Sequence, residues 1–368
     1  MPQKTQGRQK NLDELRCLAM MMVVVLHFLG KGELLGDVTA PDMSTVGIGA
    51  WVLEAFSIVA VNCYMLISGY FLSESDFKLS RLLRLYLQIW IYSVGIGLLS
   101  VICGIVPAEE VNTHYYLSLI FPVSMGHYWF MTAYVFLYLL FPLVGMAVRK
   151  MDKTQFRLVL AMLFAVFCAL KSLVPVRLEQ DAQGYDMIWY LCMFLAAAYI
   201  RKYGVGFLDK KWKCLLLYLA GVALILTELF VLHAVYVTSG KFELILKVSF
   251  EYNHIFVLIA SLGLFGLFLN SEGKGAAGTI ASKLAPYVLG AYLLHENIGV
   301  RYTWQEFFGA KSISTVPELV GKTFLAAVCV FAAGTALERI RSMIGRCLKF
   351  GGALERWDMV FRKEQSGS

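Results

Sequence analysis

Apolar residues in this chain come in ten long blocks, near residues 15–29, 46–72, 85–106, 128–148, 157–174, 187–200, 212–232, 252–269, 284–300 and 318–337. Short polar stretches that collect Lys, Arg and Gly separate them. A run of about 20 apolar residues, at 1.5 Å per residue, matches a hydrocarbon core about 30 Å thick. In lipid no water satisfies backbone N–H and C=O groups, so such runs fold as helices. The alternating ten-residue segments of a transmembrane barrel are absent. The pattern predicts an all-α, polytopic membrane protein with about ten transmembrane helices. The first and ninth blocks are the shortest on apolar character and carry polar residues.

Composition sharpens this. Of 368 residues 58% are hydrophobic and 16% charged, with a mean hydropathy of +0.65. Soluble domains run at about 45–50% apolar and about 25% charged, so a soluble domain, a disordered chain and a secreted disulfide scaffold are all excluded. The basic start followed by an apolar run resembles a signal peptide, but Gly30-Lys31-Gly32-Glu33 is no A-x-A-like cleavage site, so the segment reads as a retained first span. The eight cysteines form no C-x-x-C pair and read as small packing residues rather than a zinc knuckle or disulfide framework.

The net charge of +7 lies in clusters between apolar blocks rather than along one face, which argues against nucleic acid. With the N-terminus inside, alternate connections hold twenty-five Lys and Arg against eight. The expected orientation is multi-pass in the cell membrane, with both termini cytoplasmic. Residues 1–344 read as a single membrane domain. Residues 345–368 form a basic tail with interleaved Leu348, Phe350, Leu354, Trp357, Val360 and Phe361, either an in-plane helix on the inner leaflet or a partly ordered end. No internal repeat is evident, which weakens a transporter reading.

The first block carries the densest chemistry. Asn11 or Asp13 suits the cap of its helix, and Asp13 and Glu14 its positive end. Arg16 and His27 are eleven residues apart, hence nearly on one face and roughly 16 Å apart along the axis. That puts Arg16 at the cytoplasmic interface and His27 near mid-membrane, where a histidine is costly without a partner or a task. One alternative is a histidine reaching interfacial water. A neutral imidazole is suited to take a proton near pH 7.

The Arg16–His27 spacing resembles the R-x10-H signature of the acyltransferase-3 family of integral membrane acyltransferases. Cys63-Tyr-Met-Leu-Ile-Ser-Gly-Tyr70-Phe71 is similar to its F-x-x-S-G-[YF] segment, and Arg81-Leu-Leu-Arg84 to its R-x-x-R motif. His127-Tyr-Trp129-Phe with Tyr138 and Pro142 resembles W-[FY]-L…P, and Tyr292-Leu-Leu-His295 resembles Y-L-x-H. The family's late E-x-P feature is only partly present at Glu338, which takes no role here.

The expected topology sorts these residues into two layers. Arg16, Ser68, Gly69, Tyr70, Arg81 and Arg84 gather on the inner side. Guanidinium groups bind phosphate bidentately, and the resemblance implies acyl-CoA as the donor co-substrate, with acetyl as the default acyl group. Without the resemblance, Arg81 and Arg84 equally suit ordinary positive-inside charge and lipid headgroups. Outward lie Asn62, His127, Tyr128, Trp129, His295 and Glu296, with Glu54, Glu251, Asn253 and His254. This mix suits a sugar or polar headgroup, although end-of-helix Trp and Tyr also belong to the interfacial aromatic belt. As the resemblance implies, the acceptor is a cell-surface or lipid-linked carbohydrate and the reaction an O-acyl transfer with His27 as general base. No permanently bound cofactor is expected, and no H-x-x-x-H or H-E-x-x-H spacing points to a metal. The rival class is a transporter or flippase using His27, Asn62 and Glu296 as a polar path. The paired arginines beside Ser68-Gly69-Tyr70 favour the enzyme.

Overall fold

The computed structural model describes residues 8–174 and 182–348, together with Gly352, Glu355 and Asp358. Every regular element among the described residues is helical. The helices are α1 (Lys10–Lys31), α2 (Thr45–Ser57), α3 (Ala60–Leu72), α4 (Leu79–Ile102), α5 (Thr113–Ile120), α6 (Trp129–Lys150) and α7 (Lys153–Phe164). A π-helical turn, Ala165–Leu170, joins α7 to α8 (Lys171–Leu173). Then follow α9 (Met187–Tyr203), α10 (Lys211–Ser239), α11 (Ile255–Leu269), α12 (Gly275–Leu284), α13 (Leu289–His295) and α14 (Val316–Cys347). Many starts are written locally. Ser44, Asn112, Asp186 and Thr315 each accept a backbone N–H as N-caps, and Asp152 with Gln155 forms a capping box.

Among the described residues seven segments are long and apolar enough to cross a membrane: Thr45–Leu72, Leu79–Ile102, Trp129–Lys150, Lys153–Leu173, Lys211–Ser239, Glu243–Leu269 and Val316–Cys347. Three further expected spans take other forms. α1 has 22 residues but too many charges near its start, and α9 has only 17 residues. The expected continuous helix over 284–300 is not formed. Pro286 sits in the turn between α12 and α13, where a ring without an N–H ends the ladder. The broken pair nonetheless runs alongside α1: Lys10 reaches Thr279, Cys17 reaches Ala281 and His27 reaches His295.

Contacts divide the molecule into two ends. At one, Asn11 meets Phe268, Lys202 meets Met151, Asn270 meets Leu208, and Arg201 meets Glu74. At the other, Trp51 bonds Gly36, His233 bonds Val38, and Lys171 bonds Glu251 and Asn253. α1 lies at the centre, packed by α2, α3, α11, α12, α13 and α14, with Leu12, Leu15, Ala19, Val24 and Phe28 fully buried. The flanks carry exposed Leu99, Ile102, Leu143, Leu158 and Phe324, as an apolar solvent requires.

Two local expectations change. Asn11 does not cap α1: the helix begins at Lys10, and Asn11 ties it to the last turn of α11 through Phe268 O. Asp13 holds Arg8 and Arg16 instead. The tail from 345, expected as an in-plane helix or a partly ordered end, lies largely outside the described residues, but Asp358 bonds the N–H and hydroxyl of Ser80, and Glu355 pairs with Arg84.

Candidate active site

His27 occupies the last turns of α1, where α13 meets it. His295 is 2% exposed, and its Nδ1 lies 2.6 Å from the carbonyl of Ala291, four residues back on its own helix. A carbonyl only accepts, so that nitrogen carries the proton and, in a neutral ring, Nε2 is an acceptor. His27 Nδ1 lies 2.8 Å from His295 Nε2 and 3.0 Å from Glu296 Oε2. Both partners accept, so Nδ1 of His27 is its protonated nitrogen. The lone pair is left on Nε2, which makes no hydrogen bond among the described residues.

Glu296 is 4% exposed and neutralised twice. Lys31, one turn beyond His27 on α1, donates to both its oxygens, and Arg301 Nε lies 3.3 Å from Oε1. A buried carboxylate is tolerable only when so paired. Arg301 also donates to the carbonyls of His127 and Glu296, and Gln305 donates to the carbonyl of His27 at 3.3 Å. His27, His295 and Glu296 present ligand-type atoms within 4.8 Å of one another, the composition of a metal site. Two nitrogens on one tetrahedral zinc at about 2.0–2.1 Å each stand about 3.3 Å apart. The 2.8 Å between His27 Nδ1 and His295 Nε2 is instead that of a direct hydrogen bond.

Two cavities share His27. One, termed inner after the orientation expected from the charge pattern, has about 330 Å³ and runs from Arg16, Ser68 and Arg81 past Met20, Tyr64, Tyr134 and Leu289 to His27. Its middle is apolar and both its ends are polar. The outer one, of about 780 Å³, is lined by His27, Lys31, Trp51, Glu54, Tyr252 and Glu296 among others, and Trp129 borders both.

The expected inner set is only partly brought together. Arg16, Arg81 and Ser68 line the inner cavity; Gly69, Tyr70 and Arg84 do not. Gly69 is where α3 and α9 touch, since a Cβ there would lie 2.7 Å from the Cα of Phe194. Tyr70 lies under the guanidinium of Arg201, 4.4 Å from its ring centre. Arg84 faces Glu355.

Of the outer set, Trp129 and Glu296 line the outer cavity and His295 backs His27. Three others direct their polar atoms to structure. Asn62 donates to the carbonyl of Tyr252 and accepts from Trp189 Nε1. His127 Nε2 accepts from Ile298 N–H, while its Nδ1 faces Ser93 Oγ and Ser118 O. Tyr128 donates to Leu293 O and accepts from Asn297. Sequence reasoning missed Lys31, Arg301 and Gln305. Lys31 had a signal, being four residues from His27 and so on the same face; the other two are placed only by the fold after His295.

The described chain is thus all-helical, with several apolar spans and a partly buried histidine beside a buried carboxylate where two cavities meet. Residues 9–337 match the family described as Acyltransferase domain; the chain belongs to this acyltransferase-3 family. No curated protein and no solved structure matches it.

Proposed function

We propose that this membrane acyltransferase moves an acyl group, acetyl by default, from cytoplasmic acyl-CoA to a hydroxyl of a cell-surface or lipid-linked carbohydrate. The chain crosses the cell membrane ten times in this reading, with both termini in the cytoplasm and lipid around its apolar flanks. Donor phosphates bind Arg16 and Arg81, with Ser68 beside them, and the pantetheine arm follows the inner cavity to His27. The observation that carries this reading is the meeting of the two cavities at His27, whose Nε2 has no hydrogen-bond partner among the described residues.

In the transfer step His27 Nε2 takes the proton of the acceptor hydroxyl. Its oxygen forms a bond to the thioester carbon, the carbon–sulfur bond breaks, and the departing sulfur receives the proton from His27. Glu296 and His295 hold the tautomer and steady the imidazolium that forms, as an orienting carboxylate does in a catalytic triad. Restricting bulk water between two half-closed cavities limits hydrolysis of the thioester. No resident metal or cofactor takes part.

Calorimetry with acetyl-CoA on purified, detergent-solubilised protein tests the donor side. Wild type is expected to bind saturably. Arg81→Ala should weaken binding about tenfold or more, the worth of a charge-assisted phosphate contact. Arg84→Ala should change it little, because Arg84 already faces Glu355. Equal losses at both positions, or no binding by folded wild type, would contradict the donor site.

A further inference from the structure

Glu54 is a membrane-depth carboxyl that neither the fold nor the proposed step uses. It lies on α2 and lines the outer cavity with His27. Its Oε2 is buried without a hydrogen-bond partner, and no described cation pairs with it. A carboxyl so placed is costly unless something donates to it.

The cations of the surrounding outer site are committed elsewhere. Lys31 and Arg301 hold Glu296, and Lys171 holds Glu251 and Asn253. At the exposed rim Lys247 stands over the ring of Trp51, 5.7 Å from its centre, beside the carboxylates of Asp37 and Glu243. A ligand carboxylate or phosphate entering the cavity therefore meets Glu54 and, among the described residues, no uncommitted cation at depth. A ligand carrying hydroxyls or an ammonium meets an open acceptor. Trp51, Trp129 and Tyr252 add flat aromatic walls, with Trp129 stacked on Tyr252 at 5.8 Å. Such faces suit the C–H side of a pyranose while Glu54 takes its polar edge.

We infer that Glu54 is the specificity-determining residue of the outer cavity, selecting a non-anionic glycosyl unit that donates hydrogen bonds to it and rejecting units that bear a carboxylate or phosphate. This rests on the reading of that cavity as the acceptor side.

The test is transfer of radiolabelled acetyl from acetyl-CoA to methyl glucoside and methyl glucuronide, two probes that differ in charge at one carbon. It uses full-length wild type, Glu54→Gln and Glu54→Lys, with acetyl-CoA affinity measured on the same preparations. Wild type should use the glucoside at least about tenfold better in kcat/KM than the glucuronide. Glu54→Gln should raise the glucoside KM about tenfold with the KM for acetyl-CoA unchanged, and Glu54→Lys should narrow or reverse the preference. Equal use of both probes by wild type, or an unchanged acceptor KM in Glu54→Gln, would overturn the assignment. Acetylation of neither probe by protein that still binds acetyl-CoA would overturn the glycosyl class while leaving the donor side standing. Protein that is folded but binds no acetyl-CoA would instead bring down the underlying acyltransferase reading.

Discussion

The free nitrogen of His27 depends on a hydrogen-bond relay that begins at a helix carbonyl. Ala291 O fixes the proton on His295 Nδ1, His295 Nε2 and Glu296 then fix the proton on His27 Nδ1, and the lone pair is left on Nε2. Glu296→Gln keeps the size of the side chain but brings an NH₂ that cannot accept from His27 and weakens the hold on Lys31 and Arg301. Turnover should fall at least about tenfold with acetyl-CoA affinity nearly unchanged, measured by steady-state kinetics beside calorimetry. The relay was half legible in the sequence. Eleven residues between Arg16 and His27 place them along one face by helical period alone. That His295 and Glu296 stand behind His27 follows from packing across more than two hundred residues, which no local pattern encodes. That Asn62, His127 and Tyr128 bond to the protein's own backbone and side chains has a related cause. A polar side chain in an apolar run signals that a hydrogen bond will be made, but not whether a ligand or a neighbouring carbonyl will make it.

Most apolar blocks correspond to helices, but block 46–72 divides into α2 and α3, and α14 runs ten residues past the block that ends at 337. The ninth block was misread because its apolar content outweighed Pro286: it forms the turn after α12, the short α13 and the turns beyond His295 instead of one helix. The end of α13 at His295 has a use: Glu296 and the turns up to Arg301 can then wrap the end of α1. The motif around Ser68 and Gly69 was legible as a feature but divides between two tasks, a cavity wall at Ser68 and helix contact at Gly69. Gly69→Val forces a side chain into the backbone of Phe194. Overpacking of this kind costs about 1–3 kcal/mol. Thermal unfolding in detergent should show a lowered midpoint, while the acetyl-CoA affinity of the remaining folded fraction stays close to wild type.

For the whole molecule, the layout follows from which residues meet at each end. Residues from the basic connections, among them Arg16, Arg81, Arg201 and Lys202, gather at the end where the inner cavity begins, and the wider outer cavity faces the opposite end. The proposed orientation has a direct check in two native thiols. Cys103, at the end of α4, and Cys347, at the end of α14, are both exposed and lie at opposite ends. In intact cells a membrane-impermeant maleimide should label Cys103, and Cys347 only after permeabilisation, with Cys329 replaced by Ser to remove the third exposed thiol. The reverse labelling would invert the molecule and put the donor on the wrong side.

The most direct test of the account concerns His27, where the cavities meet. His27→Ala should retain acetyl-CoA binding by calorimetry within a few fold of wild type. Its acetyl transfer should drop about 10²–10⁴-fold, the range lost with a general base. Transfer persisting at the wild-type rate in that variant would contradict the assignment of His27 as the base.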